Sequence, residues 1–130
     1  MIDIPFSPAK RALPIAFFAI CLCVVIYAIF RPEPPPELFS QSDKWGHIAA
    51  FLALCVSGRL AFPSIPAAPF WLAFVALAPL LEWLQHLVRP LRYFSYGDVL
   101  ANLGGVLLAM VLLNLLSLWQ GRARVMPSRH

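Results

Sequence analysis

Four apolar runs, each close to twenty residues, govern what this chain can fold into. Residues 12–30 read ALPIAFFAICLCVVIYAIF and residues 45–62 read WGHIAAFLALCVSGRLAF. Residues 70–88 read FWLAFVALAPLLEWLQHLV and residues 99–119 read VLANLGGVLLAMVLLNLLSLW. A helix of about 20 apolar residues crosses the roughly 30 Å of hydrocarbon in a bilayer. A soluble domain of this length could not hide so much apolar surface. Hydrophobic residues make up 61% of the 130 and charged ones 12%, where a soluble domain carries about 25% charged. The expected fold is therefore all-α, an integral membrane four-helix bundle. The first run follows Lys10 and Arg11, as a signal peptide would. It is longer than a signal's apolar core and no A-x-A-like site follows, so it reads as a retained helix.

Four helices place both termini on one side. That side carries Lys10, Arg11, Arg59, Arg122, Arg124 and Arg129, and the other carries Arg31, Lys44, Arg89 and Arg92. Basic residues favour the cytoplasm, so both termini are expected inside. The chain then divides into a cytoplasmic segment 1–11, a membrane domain 12–119 and a basic, disordered cytoplasmic tail 120–130. Trp45, Tyr93, Phe94 and Tyr96 fit the outer interface, and Trp71 and Trp119 the inner one. The proline-rich RPEPPPELFSQS reads as an extended spacer over the outer surface. The net charge of +4 is scattered among helix ends, which is no footprint for nucleic acid. Cys21, Cys23 and Cys55 all lie within apolar runs and read as packing residues, not a disulfide framework or zinc site.

The polar residues are not spread evenly. A helix turns about 100° per residue, so Asp43 and His47 share a face of the second helix. Glu82, His86 and Arg89 share a face of the third, with Gln85 about 60° aside. Asp98, Asn102, Gly105 and Ala109 fall within about 60° on the fourth. All three stripes lie toward the outer ends, Glu82 deepest. Charge facing lipid is costly, so ionisable membrane residues usually face the bundle interior and pair. The stripes are thus expected to meet in a polar cluster toward the outer leaflet. Gly104, Gly105 and Ala109 would let the fourth helix approach its neighbours closely. Pro79, inside the third run, leaves the Val75 carbonyl without its backbone donor, and a kink there would open the outer half of that helix.

These residues also carry a resemblance. "DKWGHIAAF" is similar to the D-K-x-x-H-x-x-x-F/Y opening of VanZ-like membrane proteins. "EWLQHLVRPLRYFSYGDVLANLGG" resembles their E-x-x-Q…R-x-x-S-x-x-D-x-x-x-N-x-x-G signature. The matched positions are Asp43, Lys44, His47, Glu82, Gln85, Arg92, Ser95, Asp98, Asn102 and Gly105, within roughly residues 40 to 110. Where the family often has a second glycine, this chain has Ala109. The resemblance implies a protein of the bacterial cell membrane, in a family named for teicoplanin resistance that does not remodel the peptidoglycan target.

Three classes of function are compatible with the cluster. In the first, the chamber handles membrane lipids or a lipid-linked envelope precursor, with Arg89 and Arg92 gripping an anionic headgroup. In the second, His47, Glu82 and Asp98 act as acid, base and orienting group of a membrane enzyme, or as ligands to a divalent metal. In the third, the acids pair structurally or relay protons. The plainer readings sit beside these: Asp43 and Lys44 as a helix N-terminus, Glu82 in an ion pair with Arg89 or Arg92, Asp98 and Asn102 as a cap and a helix-joining contact. Arg59 reads as a snorkelling residue and His86 as structural. No short-spaced motif such as H-E-x-x-H is present, so no metal or cofactor is expected.

Overall fold

In the computed structural model, residues 8–33, 36–89 and 91–125 are described, with side chains from residue 12 to residue 121 apart from those same gaps. The chain forms four helices: α1 (Pro8–Phe30), α2 (Ser42–Ala61), α3 (Ala67–Val88) and α4 (Tyr96–Val125). No strand occurs among the described residues. Each helix covers one apolar run and begins a few residues earlier. Pro8 suits a first helical position, where its missing N–H costs nothing. Asp43 and Asp98 lie in the first turns of α2 and α4, where the helix dipole favours negative charge. One boundary differs in kind. The expected disordered tail begins at residue 120, but α4 continues through Arg122 and Arg124 to Val125. Those residues include one glycine, Gly121, but no proline, and the next proline is Pro127. Residues 1–7 of the expected N-terminal segment, 126–130 of the tail, and Pro34 and Pro35 of the spacer lie outside the described residues.

The outward faces identify the solvent. On α1 the exposed side chains include Leu13, Phe17, Ile20, Leu22, Val24 and Tyr27; on α4 they include Leu107, Leu108, Val111, Leu115 and Leu118. Soluble monomers do not expose contiguous apolar surface on that scale. α1, α3 and α4 are each long and apolar enough to cross a membrane. The protein is an all-α membrane bundle. α2 is long enough, at 20 residues, but more polar. It is packed between α1 and α4, so neighbouring helices cover much of it.

The core is small and tight. Phe51 and Cys55 of α2, Ala78 of α3, and Val106 and Ala109 of α4 form a buried cluster. The closest approach lies at Gly105: a Cβ there would sit 2.5 Å from the Ile48 carbonyl oxygen and 2.7 Å from the Phe51 Cβ. The α2 backbone therefore runs directly over Gly105. At Gly104 a Cβ would meet only Ile48 Cγ1, at 3.9 Å. At the opposite end of the bundle, Arg59 donates to the Ile65 carbonyl and lies over the Phe70 ring, 5.5 Å from its centroid.

Candidate functional site

The three polar stripes converge at the end of the bundle formed by the start of α2, the end of α3 and the start of α4. The α3–α4 connector, of which Arg89 and residues 91–95 are described, lies beside them. It is fastened by His86, whose Nδ1 lies 2.6 Å from the Arg92 carbonyl oxygen. A carbonyl can only accept, so Nδ1 carries the proton.

Ser95 starts α4. Its Oγ accepts the Asp98 N–H at 3.2 Å, the side-chain cap that helix N-termini favour. In a capping box the residue at Asp98's position would reach back to the Ser95 N–H. Here Glu82 of α3 does so instead: its Oε1 accepts the Ser95 N–H at 3.0 Å. That contact ties α3 to the first turn of α4 and leaves Asp98 free for other partners. The expected ion pair of Glu82 with Arg89 or Arg92 does not form; among the described residues Glu82 has no ion-pair partner. The arginines point elsewhere because the connector turns Arg92 toward Asp98 and Arg89 toward α1.

Asp98 is 2% exposed, and its Oδ2 accepts from Arg92 Nη2 at 2.8 Å. The same guanidinium nitrogen lies 3.3 Å from His47 Nε2, and His47 Nε2 lies 3.6 Å from Asp98 Oδ2. The protonation of His47 follows from its other side. Asn102, 1% exposed, donates from Nδ2 to the Ala78 carbonyl at 3.3 Å. Its Oδ1 therefore faces His47 Nδ1, at 2.9 Å, and must accept from it. His47 Nδ1 thus carries a proton, and its Nε2 faces both Arg92 and Asp98.

Arg89 is buried at the C-terminal end of α3 and donates from Nη2 to the Ala28 carbonyl of α1 at 2.7 Å. Its Nε has no partner. Burial, followed by the nearby charges of Arg92 and Arg31, holds its pKa below the ordinary arginine value. Gln85 is buried with its Oε1 unpartnered. Lys44 lies along α4, where a Cβ at Gly97 would come within 2.9 Å of its Cε.

Beside this network lies a cavity of about 250 Å³. Its polar lining comprises Arg31, Asp43, His47, Gln85, Arg89, Arg92 and Asn102. Its apolar wall comes mainly from Val24, Val25, Ala28 and Ile29 of α1, with Phe51 and Leu81 opposite. The structure thus brings together Asp43, His47, Gln85, Arg89, Arg92 and Asn102 at the cavity, with Glu82, Ser95 and Asp98 behind its wall. Lys44 and Gly104 stand apart from it. Arg31 and the α1 wall were not legible from helix faces, because α1 carries no polar stripe. The one available signal was a lone arginine directly after an apolar run.

No family model matches this chain, and neither a curated protein nor a solved structure does.

Proposed function

We propose that the chain is a bacterial cell-membrane protein that binds an anionic lipid headgroup, or a lipid-linked anion, in the cavity between α1 and the polar ends of α2 to α4. One observation carries this reading: three arginines, Arg31, Arg89 and Arg92, line one cavity against a single carboxylate, Asp43, and one side of that cavity is the apolar face of α1. Guanidinium groups match phosphate oxygens in charge and geometry. Three of them near one another repel, which an anion relieves. Valine, alanine and isoleucine beside them suit the start of an acyl chain. The VanZ-like resemblance supports the setting, a bacterial envelope and an effect on susceptibility to teicoplanin-type glycopeptides. With both termini cytoplasmic, the cavity opens toward the outer leaflet. A second reading is a membrane-embedded enzyme acting on a lipid-linked substrate through His47, Glu82 and Asp98. The proximity of these three groups favours it.

Native mass spectrometry tests the binding reading. Purified protein is exchanged into mixed phosphatidylglycerol and phosphatidylcholine, and retained lipid is counted. Phosphatidylglycerol is expected to survive activation preferentially, and Arg31→Gln to reduce its retention. Arg31 has no ion-pair partner among the described residues, so its replacement leaves the bundle intact. Equal retention of both lipids by the wild type rules the reading out.

A further inference from the structure

We propose that His47, Glu82 and Asp98 form a binding site for one divalent transition-metal ion, of the Zn²⁺ or Mn²⁺ class. One ligand atom from each residue lies within 4.8 Å of the other two. Three donors around an ion bound at about 2.1 Å stand roughly 3–3.6 Å from one another, so the set must close by about 1 Å, within reach of side-chain rotation. The three residues come from three different helices, which is why no ligand spacing shows in the sequence.

Three further observations point to a cation. Glu82 and Asp98 are 1% and 2% exposed, yet Glu82 Oε2 and Asp98 Oδ1 have no hydrogen-bond partner. Buried polar atoms are rarely left so, and each unsatisfied one calls for an explanation. Next, His47 is oriented as metal-binding histidines are. Its Nδ1–H is held by the Asn102 carbonyl oxygen, and Asn102 is itself anchored on the Ala78 carbonyl. Such an outer hydrogen bond selects the tautomer whose Nε2 is free to ligate. Finally, a cation already leans on two of the three donors: Arg92 Nη2, at 2.8 Å from Asp98 Oδ2 and 3.3 Å from His47 Nε2. Arg92 sits on the connector, half-buried, and also lines the cavity. On metal binding its guanidinium turns into that cavity, and the ion takes over the charge of Asp98.

One imidazole and two carboxylates suit Zn²⁺, Mn²⁺ or Fe²⁺ better than a hard ion that requires six or more oxygens. Three protein ligands leave coordination positions for water or a ligand group, as in catalytic metal sites. The proposal does not rest on the anion-binding reading, because it concerns the metal alone.

The test uses the full chain in detergent, freed of any affinity tag and stripped with chelator. Zn²⁺ and Mn²⁺ are added in separate titrations, and bound metal is measured after gel filtration. The wild type is expected to retain one ion per chain, and His130→Gln to do the same. Glu82→Gln keeps an acceptor for the Ser95 N–H and removes one ligand charge. Loss of an outer-shell partner costs about 10–100-fold in metal affinity, so Asn102→Ala is expected in that range and Glu82→Gln at or beyond about 100-fold. Failure of the wild type to retain either ion in stoichiometric amount overturns the proposal. So does unchanged affinity in folded Glu82→Gln. Should that variant not fold, X-ray absorption on Zn²⁺-loaded wild type decides. One imidazole nitrogen among oxygen donors is expected, and a shell with no histidine, or with more than one, overturns the site.

Discussion

Glu82 of α3 caps α4: its Oε1 accepts the Ser95 N–H at 3.0 Å, while Ser95 Oγ in turn accepts the Asp98 N–H. A buried carboxylate thus completes the capping of another helix across thirteen residues of chain. What matters structurally is the acceptor, not a charge partner. Glu82→Gln is therefore expected to accumulate and melt close to wild type. Glu82→Leu leaves the Ser95 N–H unsatisfied, at a cost of about 1–3 kcal/mol. Fluorescence-detected size exclusion after graded heating measures both. A Gln variant as unstable as the Leu variant would mean that the charge itself is required.

The two adjacent glycines of α4 are expected to differ sharply. At Gly105 even a methyl group would collide with α2 backbone, at 2.5 Å from the Ile48 oxygen. Overpacking of this kind costs typically about 1–3 kcal/mol, so Gly105→Ala lowers the melting temperature and Gly105→Leu abolishes the folded peak. Gly104→Ala, with its nearest neighbour at 3.9 Å, melts like wild type. Thermal melts of the two alanine variants side by side make the comparison.

Arg92 and Asp98 are expected to behave as a coupled pair. Removing Arg92 leaves a buried carboxylate without its cation, which can cost up to about 3–5 kcal/mol. Asp98→Asn removes that charge, so Arg92→Ala is milder in its presence. A double-mutant cycle on melting stability is expected to give a coupling of about 0.5–3 kcal/mol. Additive effects would show that the 2.8 Å contact contributes nothing.

The proposed orientation predicts opposite labelling of two exposed serines. With Cys21, Cys23 and Cys55 replaced, a cysteine at Ser40 in the α1–α2 connector reacts with an impermeant thiol reagent added to intact cells. A cysteine at Ser64 in the α2–α3 connector reacts only after lysis. The reverse pattern would invert the topology and turn the cavity toward the cytoplasm.

The membrane as solvent was legible in the apolar runs, because length and hydropathy are properties of a local stretch. So were the three polar stripes, since the turn of a helix assigns residues four apart to one face whatever the helix packs against. His47, Glu82, Asp98 and Asn102 could be picked out on that ground alone. Their partners could not. That Glu82 would meet a backbone N–H instead of an arginine depends on the path of the connector over α3. That Arg31 and the wall of α1 would complete a cavity depends on where α1 docks, and an all-apolar helix carries no stripe to announce it. Gly104 and Gly105 look equivalent in the chain, yet the roughly 100° between them puts only Gly105 under the α2 backbone. Helix periodicity decides which residues share a face; only the packing of helices distant in sequence decides which faces meet, because that depends on the fit of whole surfaces to one another.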